Sequence, residues 1–259
     1  MKTIYHDEQE HSVLEADYEK QQVKGLLRTF LALRHRNFRL FWFGQLISLI
    51  GTWMQSIGQA WLVLELTHSA WLLGVVGALQ FLPVMLLSLF GGVLADRLPK
   101  RKVLLFTQSS AMLQATILWI LVATGHVQIW EVLVLASLLG LTNSIDMPTR
   151  QAFVAEMVGR EDLPNAIALN SSLFNMARVV GPGLGGIIIA WLGVAPLFLF
   201  NAISFIAVIV GLAMIKMNDL YALAKRSTAR GEAPRQSTLQ SLREGLEYVV
   251  RTPSVYWSS

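Results

Sequence analysis

Arg178 is the residue in this sequence that most needs a partner. It falls near the middle of an apolar stretch, residues 167–192, that contains no other charged side chain. Placing an arginine at the centre of a membrane helix costs about 2.5–3.5 kcal/mol on insertion scales, so something must offset it. Ser171, Asn175 and Pro182 share its face at helical spacing. No carboxylate shares its depth. Asp146 lies at the inner end of the preceding apolar segment, and Glu65 and Glu131 lie toward the other side. The partner is then an anionic substrate, a residue from outside this segment array, or cavity water. The alternative is a structural arginine bonded to helix-end carbonyls.

A second constellation is polar and uncharged. Gln45, Ser48, Thr52, Gln55 and Gln59 recur in steps of three and four, which puts all of them on one helical face. In a membrane such a stripe must face protein or water. It either lines an aqueous cavity or forms hydrogen bonds between helices, worth about 0.6 kcal/mol each. Gln80 and Asn143 are candidates of the same two kinds. Asn201 reads as structural, and Pro83 as a kink.

The elements that must position these residues are read from apolar length. The chain has 259 residues, 54% hydrophobic and 15% charged, against about 25% charged in soluble domains. Spans need about 20 mostly apolar residues. Six segments qualify: residues 38–66, 70–95, 103–124, 129–147, 167–192 and 195–217. The bilayer interior cannot hydrogen-bond loose backbone, so the spans are helices. The predicted fold is an all-α membrane protein, a six-transmembrane-helix bundle. Its organisation is a cytoplasmic arm over residues 1–36, the helical region over 37–217, and a cytoplasmic linker over 218–259. Leu239, Leu242, Leu246 and Val249 give that linker a short amphipathic helix. Short outer links predict that consecutive helices are antiparallel neighbours.

Basic residues set the orientation. Lys2, Lys20, Lys24, Arg28, Arg34, Arg36 and Arg39 precede the first segment. Arg97, Lys100, Arg101 and Lys102 fill the link after the second, and Arg150 and Arg160 that after the fourth. Lys216, Lys225, Arg226, Arg230, Arg235, Arg243 and Arg251 follow the sixth. The other links hold none, which predicts both termini in the cytoplasm of a cell (inner) membrane. Trp61, Trp71, Trp119, Trp130 and Trp191 fall at the outer helix ends, where aromatic belts lie. The net charge of +4 therefore reads as cytoplasmic loops and not as a nucleic-acid surface. Residues 1–24 are polar and acidic, so no cleavable signal peptide is predicted.

No metal site, cofactor or catalytic constellation is expected. The chain has no cysteine, and His6, His11, His35, His68 and His126 lack ligand spacing.

Two motifs carry a resemblance. Gly91-Gly92-Val-Leu-Ala-Asp96-Arg97-Leu-Pro99-Lys100-Arg101-Lys102 links the second and third segments. Gly92, Asp96, Arg97, Lys100 and Arg101 match the Gly-x-x-x-Asp-Arg-x-Gly-Arg-Arg signature of the major facilitator superfamily, with Pro99 in the position of a glycine. Gly181-Pro182-Gly183-Leu184-Gly185-Gly186 resembles the Gly-Pro-x-x-Gly-Gly motif of its antiporter branch, with Ala168 and Ala177 where the family has earlier glycines. Asn37-Phe38-Arg39-Leu40-Phe41-Trp42, Asp146-Met147-Pro148-Thr149-Arg150-Gln151-Ala152-Phe153 and Asn201-Ala202-Ile203-Ser204-Phe205 look like the branch of siderophore exporters and macrolide efflux proteins. The resemblance implies one half of a twelve-helix fold with substrate bound between halves. It implies that Asp96 and Arg97 help latch one conformation, and that a small amphiphilic compound, a drug or siderophore, leaves in exchange for protons. The expected partners are the bilayer, substrate, protons, and a C-terminal half or second copy. Truncation is the favoured reading of the chain's length. A membrane subunit of another transporter class, or a non-transporting membrane protein, is the alternative.

Overall fold

A computed structural model describes residues 30–221. Among these residues there are five α-helices and no strand: α1 (Arg36–Thr67), α2 (Ala70–Arg97), α3 (Lys100–Ala123), α4 (Ile129–Leu192) and α5 (Ala195–Met214). Short 3-10 turns at Leu31–Arg34 and Met217–Asp219 flank them. The amphipathic helix expected near Leu239 lies outside the described residues.

The helix count departs from the six expected because no loop follows Met147. Helix α4 runs for 64 residues and has one non-helical residue, Gly159, with φ 76° and ψ 179°. That backbone region is open essentially to glycine alone. Two helical arms therefore meet at a kink one residue wide. Pro164 lies inside the second arm, five residues past that break. Four helices, α2 to α5, are long and apolar enough to cross a membrane. Helix α1 is not among them, because its polar face dilutes an otherwise apolar sequence.

The ends are closed by local chemistry. His68 takes the left-handed conformation after α1 (φ 52°), and the Ser69 hydroxyl accepts from Leu72 N at 3.4 Å to start α2. Gln128 and Glu131 form a reciprocal cap on α4, with Gln128 N donating to Glu131 Oε2 at 2.9 Å. Glu131 is thus a capping residue.

Packing does not follow chain order. Helices α1 and α5 pack closely, as do α2 with α4, α1 with α4, and α3 with both α4 and α5. The consecutive pairs α1–α2 and α2–α3 barely touch. Short links hold the ends of neighbours together but do not choose which faces meet. Small residues choose them. A Cβ on Gly44, Gly51 or Gly58 of α1 would lie 2.9 Å from Ala207 O, 2.5 Å from Ser204 Oγ or 2.7 Å from Leu197 Cδ1, all on α5. On α2 the close approach is at Gly91, against the Ser144 carbonyl, while Gly92 faces open space.

Buried apolar side chains form a cluster at each end of the helices. Phe38, Phe41, Leu104, Phe153, Met157 and Leu212 fill the end holding residue 36. Leu62, Val63, Leu118, Val132 and Phe198 fill the other. Trp61, Trp71, Trp130 and Trp191 are exposed, and Trp119 is half-buried.

Candidate functional site

Arg178 lies on the second arm of α4 and is exposed, together with Ser171 and Asn175. Asn175 Nδ2 donates to the Ser171 carbonyl at 2.9 Å. The Arg178 guanidinium carbon stands 5.8 Å from the centre of the Trp53 ring on α1. Trp53 in turn meets Phe174 edge-on, with ring centres 5.5 Å apart. No ion pair to Arg178 is present among the described residues. The glycine motif makes this neighbourhood possible. A Cβ on Gly181 would lie 2.5 Å from Trp53 Cβ and 3.0 Å from Ile50 O. One turn on, a Cβ on Gly185 would lie 2.7 Å from Ile57 Cγ2. Gly183 and Gly186 have nothing beside them. Pro182 is half-buried within the arm.

The glutamine stripe of α1 turns the other way. Gln45, Ser48, Gln55 and Gln59 are buried, and Thr52 is half-buried. Asn201 Nδ2 on α5 donates to Gln55 Oε1 at 2.7 Å. The Ser204 hydroxyl donates to Asn201 Oδ1 at 3.1 Å. Gln80 Nε2 on α2 donates to Gln59 Oε1 at 3.1 Å. Buried amides in an apolar surround must be paired, and Gln55, Gln59 and Gln80 are paired across helices. In this arrangement they knit helices together. Asn143 is half-buried and makes no side-chain hydrogen bond among the described residues.

The link between α2 and α3 is braced at the opposite end of the helices from the tryptophans. Lys100 and Arg101 fall in the first turn of α3, where the helix dipole disfavours cations. Their charges are satisfied elsewhere. Lys100 Nζ pairs with Glu156 Oε1 at 2.9 Å. Arg101 donates through Nε to Leu212 O at 2.7 Å and through Nη2 to Ala213 O at 2.6 Å. Those carbonyls are orphans at the C-terminus of α5, so Arg101 acts as that helix's cap. Arg97 is exposed. The Asp96 side chain lies outside what the structure describes.

Two polar clusters went unnoticed at the level of spacing. Asp146 is buried and accepts from Thr107 Oγ1 at 2.6 Å, Gln108 Nε2 at 2.8 Å and Arg150 Nε at 3.0 Å. Arg150 Nη2 bonds the same carboxylate. Near the kink, Asp162 Oδ2 accepts from Arg34 Nε at 3.1 Å and lies 2.6 Å from His35 Nε2. Tyr221 N donates to Glu156 O at 2.8 Å, and the Tyr221 ring covers Gly159 at 3.2 Å from the position of a Cβ. Asn37 grips the exit from α5, donating to Lys216 O at 2.9 Å and accepting from Lys216 N at 3.1 Å. The i, i+4 spacing of Asp146 and Arg150 was the one available signal.

Comparison with known proteins decides the family. Residues 28–256 match the family described as transmembrane secretion effectors. The chain belongs to this family, within the major facilitator superfamily. Members of the superfamily are transporters and not enzymes. The chain is 31% identical over 178 residues to the staphyloferrin A transporter of Staphylococcus aureus, covering 68% of this chain and 45% of that protein. It is 28% identical over 219 residues to the multidrug efflux pump Tap of Mycolicibacterium fortuitum, covering 83% and 52%. It is 26% identical over 235 residues to the enterobactin exporter EntS of Shigella boydii, covering 89% and 53%. The chain spans about half the length of the curated relatives it matches. Membership and the apolar helices together make this a multi-pass membrane protein.

Proposed function

We propose that the chain forms the N-terminal half of a proton-coupled exporter of small amphiphilic compounds, and that the Arg178 face is its substrate side. On this reading both arms of α4 cross the bilayer, as does α1, which gives six spans with both termini in the cytoplasm of the cell membrane. The basic residues support that orientation, since they cluster where α2 meets α3 and where α5 ends. The observation that carries the proposal is the exposure of Arg178 in the middle of an apolar arm. An arginine facing lipid there would cost several kcal/mol. One facing an aqueous gap between two halves would not. The relatives named as siderophore and drug exporters support export of such compounds.

The test is export by cells expressing the complete protein. Arg178→Ala is expected to lower efflux at least ten-fold at unchanged membrane abundance. Equal efflux by the variant would remove the case for this face.

A further inference from the structure

We infer that Arg178 and Trp53 recognise an organic anion, one that sets two adjacent anionic oxygens on the guanidinium and a flat apolar group against Trp53 and Phe174. The inference rests on the reading that the Arg178 face is the substrate side, and it names the chemistry of that substrate.

The site offers donors and ring faces. A guanidinium carries N–H donors in a planar fork and no acceptor, and it binds paired anionic oxygens bidentately. None of its donors reaches a protein acceptor among the described residues, and its guanidinium carbon lies 5.8 Å from the centre of the Trp53 ring. The described carboxylates near other basic groups are already engaged: Asp146 by Arg150, Asp162 by Arg34 and Glu156 by Lys100. The indole N–H of Trp53 makes no hydrogen bond among the described residues and is a further donor. Phe174, 42% exposed, extends the ring surface. Asn175 commits one N–H to the Ser171 carbonyl, which leaves its second N–H and its side-chain oxygen for a ligand hydroxyl. A cationic ligand would meet like charge here. An aromatic acid would meet a complementary fork and two rings.

The glycine motif builds the site. Only a residue without Cβ at 181 lets α1 approach until Trp53 stands beside Arg178. The motif is thus tied to recognition as well as to packing.

Binding to the complete protein in phosphatidylcholine nanodiscs tests this, read by equilibrium dialysis with labelled 2,3-dihydroxybenzoate at neutral pH. The expected result is saturable binding that Arg178→Gln weakens at least ten-fold, Arg178→Lys weakens less, and Trp53→Leu also weakens. Citrate is expected to compete through its carboxylates, and ethidium, a flat cation, is not. The retained binding of Arg178→Lys shows that the fold survives the substitution. No saturable binding, unchanged binding by Arg178→Gln, or competition by ethidium with citrate inert would each overturn the assignment. Failure here with Arg178-dependent export intact would sink the anion and spare the exporter. Binding without export would do the reverse.

Discussion

A single buried carboxylate shows how polar chemistry survives among apolar helices. Asp146 is 2% exposed and receives hydrogen bonds from Thr107, Gln108 and Arg150. Each takes up acceptor capacity that hydrocarbon could not satisfy. Removing the carboxylate leaves Arg150 partly buried and unpaired, which typically costs about 3–5 kcal/mol. Asp146→Ala is therefore expected to lower the thermal unfolding temperature in detergent sharply. Asp146→Asn, which keeps an acceptor, should lower it less; equal melting of all three proteins would contradict this account. Arg178 was legible in the sequence because it was alone in an apolar run. Asp146 was legible only in part. Arg150 follows it by one helical turn, but Thr107 and Gln108 come from α3, and no spacing rule says which faces of two helices meet. The glutamines of α1 were legible as a face, but the sequence did not say which neighbour that face meets. The answer was α5, through Asn201, and α2, through Gln80.

Among the elements, α4 depends most on one backbone angle. Gly159 holds φ 76° and ψ 179°, and a Cβ there would also press the Tyr221 ring at 3.2 Å. Strain of this kind costs about 1–3 kcal/mol. Gly159→Ala is expected to lower the melting temperature and to expose the kink to protease; a variant as stable and as protected as the parent would refute this. The crossing of α1 over the second arm of α4 depends on Gly181 in another way, through space. Gly181→Val should separate the helices and shift the fluorescence of Trp53 toward that of a solvated indole. Both should be seen in a background whose other tryptophans are replaced by phenylalanine, and an unshifted emission would count against the close crossing. The sequence placed a loop after Met147 because the apolar run stops there and resumes only at Ile167, with Arg150 and Arg160 between. The chain instead tolerates Pro148 and Pro164 in helix and concentrates the break in the one residue that needs a positive φ. Helix ends near Ser69 and Gln128 were easier to foresee, because caps are written locally.

For the whole molecule, hydropathy and charge said that the chain is helical and enters a membrane, while its neighbour relations were set by small residues whose partners lie far away in sequence. The proposed orientation can be checked directly. The native chain has no cysteine, so single cysteines report without background. Cysteines replacing the exposed Lys102 and Lys216 are expected to react with an impermeant maleimide only from the cytoplasmic face. Cysteines replacing the exposed His126 and Gly193 should react only from the opposite face. Labelling of Lys102→Cys and Lys216→Cys from different sides would dismantle the topology.

The stacking of Tyr221 on the Gly159 kink has a mechanical corollary. The segment that leaves α5 does not dangle from its helix. It is bolted by Asn37 at Lys216 and by Glu156 at Tyr221, directly over the joint of α4. Any tug on the polypeptide downstream is delivered first to that hinge, and to the ring lying on it, before it reaches the core.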